Sequence, residues 1–240
     1  MAGSPARVLV AGATGALGRL AVADLLERGA LVALAGRDTE ALAELAAAAH
    51  APARTVDAYD LDACAGSAPW ARAALGGLDG VLVTVGVAGF GPAAEVADAT
   101  AEHLMTVNAL CPMALLRGAV PVVGDGGFLA AVTGAIVDSP LLGTADYTAS
   151  KAALAGWLGV LRRETRPRHL TVVDARLPHL DTGFASRAVA GTAPPLAAGA
   201  DPAPVVHALV EQLVSALARS LPPGNAIPGT GLPTPSDPVH

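Results

Sequence analysis

The stretch Val8-Leu9-Val10-Ala11-Gly12-Ala13-Thr14-Gly15-Ala16-Leu17-Gly18 decides the fold. Its first four residues form an unbroken apolar run, the pattern of a parallel strand covered on both faces. Glycines follow at 12, 15 and 18, then an Ala- and Leu-rich helical segment over 17–28 that Gly29 closes. Strand, glycine turn and helix in that order make a phosphate-binding arrangement. Glycine lets the backbone turn tightly and approach a pyrophosphate, and the helix start offers free N–H donors and the positive end of its dipole. The binding candidates here are Gly12, Thr14, Gly15, Ala16, Leu17 and Gly18. A plain turn would not need three glycines at this spacing.

Working outward, short β-branched or apolar runs at 8–11, 31–35, 54–57, 80–85, 128–133 and 170–174 read as strands, with helical segments such as 17–28 and 39–49 between them. Alternation of this kind predicts an α/β fold, a Rossmann-type doubly wound parallel sheet of six or seven strands in a single domain. No repeat or linker divides the chain. After Arg187, residues 191–204 are rich in Ala, Gly and Pro and read as a mobile loop before a last helix at about 204–220. The domain is expected to occupy residues 1–220, with 221–240 a Pro-rich, poorly structured tail.

With 240 residues the chain can bury a sizeable core. Aromatics make up only 3%, so that core must be built from Val, Leu and Ala. A formal net charge of −6 argues against a nucleic-acid partner, which needs a basic footprint. No run reaches the ~18 apolar residues of a membrane span; Arg7 and the apolar run after it look like the start of a leader, but the glycines break the run early. Cys64 and Cys111, far apart in sequence, match no metal-ligand spacing and read as buried free thiols suited to a reducing cytoplasm. No metal is expected.

Two further segments carry chemistry. At the end of the second strand Gly36 stands where a carboxylate would select a ribose 2′-hydroxyl, and Arg37 follows it. A guanidinium there favours a 2′-phosphate, hence NADP(H) over NAD(H). Asp38 complicates this, since it can pair with Arg37 or face the ribose itself. Farther on, Tyr147 and Lys151 lie four apart at the head of an Ala/Leu-rich helix, on one face. A nearby ammonium favours the phenolate, so Lys151 is expected to lower the Tyr147 pKa towards a value useful for proton transfer.

With the glycine loop, Asp60-Leu61, Val107-Asn108, Tyr147-xxx-Lys151, and Pro178 with Thr182, the chain resembles short-chain dehydrogenases/reductases from its first strand to about Ser186. The resemblance implies that Tyr147 is the general acid/base, that Lys151 also binds the nicotinamide ribose, and that Asn108 holds a water in a proton relay. It implies that Asp60 contacts the adenine, with simple capping as the alternative, and that Thr182 contacts the carboxamide or phosphates. Leu61, Gly86 and Pro178 complete the expected cofactor surface. It further implies a small-molecule substrate and a homodimer or homotetramer built on the helices bearing Asn108 and Tyr147.

Departures limit the inference. The family's catalytic serine lies thirteen residues before the tyrosine, and that position here is Gly134. Losing one such donor typically costs ~10²–10³ in rate. Thr133, Ser139 in the following loop, or no hydroxyl at all takes its place. His179 follows Pro178 where the family has glycine and is a candidate acid/base. The fourth strand reads Val83-Thr84-Val85-Gly86 without the usual asparagines, and a seventh strand is not evident. Three readings stand: an NADP(H)-dependent carbonyl–alcohol oxidoreductase; a non-redox dehydratase, cyclase or isomerase; and a catalytically silent nucleotide-binding protein.

Overall fold

The computed structural model describes residues 4–220. Its elements run β1 (Arg7–Ala11), α1 (Ala16–Glu27), β2 (Leu31–Gly36), α2 (Thr39–Ala49), β3 (Ala53–Thr55), α3 (Leu61–Ala65), α4 (Ser67–Leu75), β4 (Gly80–Val83), α5 (Asp98–Met105), α6 (Cys111–Ala119), β5 (Phe128–Val132), α7 (Ala145–Glu164), β6 (Thr171–Ala175) and α8 (Pro202–Ser220). The six strands form one sheet in the order β3-β2-β1-β4-β5-β6. Every pairing is parallel, with β1 between β2 and β4. Strand order therefore reverses between β1 and β4, and in such sheets the crevice beyond the strand ends at that point takes the ligand.

Strand alternation sorts the core into two layers. Leu9, Ala11, Val81, Val83, Leu129 and Ala131 face α3, α4, α6 and α7. Val8, Val10, Val32, Leu34, Phe128 and Ala130 face α1, α2 and α8. Phe128 is the one aromatic among the largest fully buried side chains, and leucines fill that group otherwise. The Val/Leu/Ala core expected from composition is what packs.

The strand limits differ from the sequence reading by one or two residues. β4 ends at Val83: the Thr84 amide gives the last rung to Ala11 O at 2.8 Å, and its hydroxyl folds back onto Ala11 O and Gly12 O at 3.1 Å each. β5 ends at Val132, where Thr133 N–H gives the last rung to Ala175 O and Gly134 N–H crowds onto the same oxygen. No seventh strand forms among the described residues; an isolated parallel bridge, Leu180 to Ala200, stands beyond β6. Residues 191–204 carry no regular structure until α8 begins at Pro202, and the segment before them is fastened by Phe90 N–H to Ala190 O and Val189 N–H to Ala88 O, at 2.9 and 2.8 Å. The expected tail at 221–240 lies outside the described residues.

Candidate active site

The glycine loop sits at the crevice. Gly12 has φ +84, and a Cβ there would lie 2.7 Å from Thr84 Oγ1 and 2.9 Å from Val85 N, so the tight turn admits no side chain. A Cβ on Gly18 would lie 2.2 Å from Gly12 O, which shows how closely α1 packs on the loop. Gly15 and Ala16 face outward. Gly15 caps α1 without a side-chain bond, and the first turn holds no acidic residue. The first N–H groups of α1 thus point at open space with nothing negative beside them, and Thr14 leans over Gly36, 3.4 Å from where its Cβ would be. The loop and helix start fit a pyrophosphate.

At the end of β2, Asp38 caps α2 by accepting from Ala41 N at 3.0 Å. It does not pair with Arg37, which is exposed and forms no ion pair among the described residues. Asp60 does the same for α3, accepting from Ala63 N at 2.8 Å, so its capping role is real. It also lines an open cleft of about 590 Å³ with Asp57, Tyr59, Leu61 and Asp62. Tyr59 closes onto α5, its hydroxyl 2.6 Å from His103 Nδ1 and the two rings stacked at 5.8 Å. Sequence reasoning missed this pair, and no local pattern announces it.

α5 continues into a π-turn, Thr106–Leu110, that carries Asn108 inward. Asn108 is fully buried. Its carboxamide accepts from Val87 N at 2.9 Å and donates to Val87 O and Ser150 Oγ, both at 3.0 Å. Both amide hydrogens are therefore spent on fastening the β4 loop to α7, and the side chain is a brace. Ser150 in turn donates to Tyr147 O at 2.7 Å.

Lys151 is buried, donating to Val132 O at 3.1 Å. Gly86 exists for this lysine, since a Cβ there would stand 2.9 Å from Nζ and 3.2 Å from Asn108 Oδ1. Burial brings the Lys151 pKa down to about 8. Burial also pushes Tyr147 up to about 12. The phenol is thus raised where a lowering by Lys151 was expected, because desolvation disfavours the charged form of each group. The cause is visible around the ring: Phe90 meets it edge-on at 6.1 Å and Phe184 lies tilted at 6.3 Å. The chain has two Trp, two Tyr and three Phe, and three of these seven aromatics meet here. The two phenylalanines come from the glycine-rich loop after β4 and the segment after β6; an aromatic in each was the only signal available.

Neither hydroxyl candidate for the serine's place is hydrogen-bonded to Tyr147 among the described residues. Thr133 is buried and donates its hydroxyl to Asp174 Oδ1 on β6. Asp174 also takes Arg176 Nε at 2.9 Å, and Arg176 reaches on to Asp138, so the turn after β5 is tied to β6. Ser139 is exposed and makes no side-chain hydrogen bond among the described residues. Gly134 has φ +92; there is room for a Cβ, with nothing nearer than Leu177 O at 3.8 Å, but the backbone disfavours any L side chain. Pro178 and His179 are exposed beyond β6, with His179 O accepting from Ala200 N at 2.9 Å. Thr182 N bonds Leu180 O at 2.9 Å and Thr182 O accepts from Arg187 at 3.2 Å, so neither it nor His179 is tied to the Tyr147 cluster.

Beside α7's first turn lies a groove of about 520 Å³ lined by Pro92, Ala93, Pro140, Leu141, Leu142, Gly143, Thr144, Ala145 and Thr148. It holds no charge, and the Thr144 hydroxyl is spent on Leu141 O at 2.7 Å and on Thr148 at 3.0 Å. No group of three or more His, Cys, Asp or Glu is placed to hold a metal among the described residues. None of the described helices is long and apolar enough to cross a membrane.

Residues 6–192 match the family model of short chain dehydrogenases. The uncharacterized oxidoreductase Rv1714 of Mycobacterium tuberculosis (strain ATCC 25618 / H37Rv) is 34% identical over 155 residues, which is 62% of this chain; the chain spans 57% of that relative's length. A short-chain oxidoreductase of Thermus thermophilus superposes with a TM-score of 0.74 at 26% identity, covering 93% of this chain and 100% of its own. A dehydrogenase of Burkholderia cenocepacia with bound NADP gives a TM-score of 0.70 at 26% identity, over 75% of this chain and 71% of its own.

Proposed function

The chain belongs to the short-chain dehydrogenase/reductase family, and from that premise we propose that it is an NADP(H)-dependent oxidoreductase interconverting a carbonyl and an alcohol. One observation carries the reading: Tyr147, at the head of α7 with Lys151 one helical turn on, stands between Phe90 and Phe184. A phenol so flanked can give a proton to a carbonyl oxygen, or take one back from an alcohol, as hydride passes.

The glycine loop, the α1 start, Arg37, Asp60, Leu61, Gly86, Pro178 and Thr182 would hold the cofactor, which supplies the hydride when bound. Tyr147 Oη gives its proton to the substrate oxygen. Lys151, one helical turn on, keeps a positive charge near that phenol below about pH 8. Asn108 fixes α7 against the β4 loop and so sets where Tyr147 stands. Arg37 supports NADP(H) over NAD(H), being exposed and free of an ion-pair partner among the described residues. The groove's apolar lining, with no charged side chain, supports a neutral, largely apolar carbonyl compound, since nothing in it would pair with a charge. Exposed Met105, Leu110 and Val160, on α5, the π-turn and α7, support self-association into a dimer or tetramer. A cytoplasmic setting accords with the two free thiols.

Purified protein given NADPH and a panel of neutral ketones, followed by absorbance and product mass, tests this reading. Product matched by NADPH loss is expected. Product formed without NADPH loss would overturn it in favour of the non-redox alternative, for which the absence of a hydroxyl at Gly134 is the specific observation. NADPH binding with no turnover across the panel would favour the silent binding protein.

A further inference from the structure

Cys64 in α3 and Cys111 at the head of α6 are 47 positions apart in sequence, yet their sulfurs lie 3.6 Å apart. Both are free, and their exposures are 0% and 2%. The contact is held by the backbone: a Cβ on Gly118 of α6 would lie 1.9 Å from Ala65 O, so α6 rests directly on the end of α3. That end is pinned further by Arg54 Nη1 to Gly66 O and Ser67 Oγ to Ala63 O, each at 2.9 Å. Two thiols fixed in van der Waals contact within an apolar layer need only side-chain rotation to approach the ~2.05 Å of a disulfide.

We propose that Cys64 and Cys111 are a modification site, a dithiol that a small two-electron oxidant such as hydrogen peroxide closes into an intramolecular disulfide joining α3 to α6. The two sulfurs are not equivalent. The contact with Cys111 holds the Cys64 thiol below its ordinary pKa, while that same contact and burial raise Cys111. Cys64 is therefore the attacking sulfur. Its thiolate forms an S–O bond as the peroxide O–O bond breaks, leaving a sulfenic acid and a hydroxide that takes up the thiol's proton as water. The Cys111 sulfur then displaces the sulfenic hydroxyl: S–S forms, S–O breaks, and the hydroxyl leaves with the Cys111 proton as a second water. Two thiols and one peroxide become one disulfide and two waters. The oxidant is small and neutral and enters through ordinary local opening of the layer.

The site does not rest on the reaction proposed at Tyr147, and its test needs no activity. Native full-length protein treated with hydrogen peroxide is expected to lose two hydrogens by intact mass, to yield a linked peptide pair containing Cys64 and Cys111, and to return to the starting mass with dithiothreitol. Cys64→Ser and, separately, Cys111→Ala should each abolish the loss while keeping the native circular dichroism spectrum. Oxygen addition without the linked pair would overturn the proposal, as would no mass change at peroxide levels that oxidise both thiols of the urea-unfolded chain.

Discussion

The glycine loop and the turn after β5 both sit at strand ends, yet one keeps its family's pattern and the other abandons it. The loop is built from backbone. Gly12 turns it, Gly18 lets α1 lie on it, and the helix N–H groups finish it, so few sequences can make it. The β5 turn is built from side chains, and side chains can be exchanged. Its one well-placed hydroxyl, on Thr133, has been given to Asp174, and its serine position has become a glycine with a backbone to match. A backbone device advertises itself in sequence, whereas a side-chain device must be seen.

The sharpest way to break this comparison is at the residue both regions serve. Tyr147→Phe should lower kcat by ~10²–10⁴, the usual worth of a positioned acid, with little change in the NADPH dissociation constant; full retained activity would dissolve the proton-transfer site. Gly18→Ala comes next. With a Cβ only 2.2 Å from Gly12 O, it should weaken NADPH binding at least about tenfold in a fluorescence titration and lower the thermal midpoint, since overpacking costs ~1–3 kcal/mol. Lys151→Met bears on stability. Native Lys151 loses its proton near pH 8 and the unfolded chain near 10.5, so between those values the unfolded state binds more protons and stability rises with pH, by on the order of 3 kcal/mol. Tyr147 acts oppositely, its contribution being lost only between pH 10 and about 12, so urea unfolding at pH 7 and 9.5 isolates the lysine. The variant should lack the rise.

Three smaller effects separate the regions. Thr133→Val should cost about 1–3 kcal/mol of stability by leaving Asp174 short of a donor, yet barely alter kcat. Gly134→Ser should not rescue the rate, because a serine at φ +92 carries ~1–3 kcal/mol of strain; a gain of about a hundredfold would mean the turn relaxes and the comparison is overdrawn. Arg37→Ala, the mildest, should cut the preference for NADPH over NADH about tenfold, the worth of one charge-assisted bond.

The architecture was legible because β1, β2, β4 and β5 are apolar runs with a glycine at or soon after their ends, and because the loop's glycines have no cheaper explanation. What stayed hidden were partnerships across the fold. Nothing local says that Asp38 and Asp60 cap the helices that follow them, or that Asn108 bridges Val87 and Ser150. The reading of Cys64 and Cys111 as buried free thiols held, but their contact depends on Gly118 letting two helices touch. The tyrosine's acidity was misjudged for the same reason: the helical partner four residues away is visible in sequence, and the two distant rings that desolvate the phenol are not.

Those rings sit on two segments stitched together by Phe90 N–H to Ala190 O and Val189 N–H to Ala88 O. The apolar wall around the phenol is therefore assembled by backbone bonds between segments far apart in the chain, and the surroundings of one side chain depend on how two loops are joined.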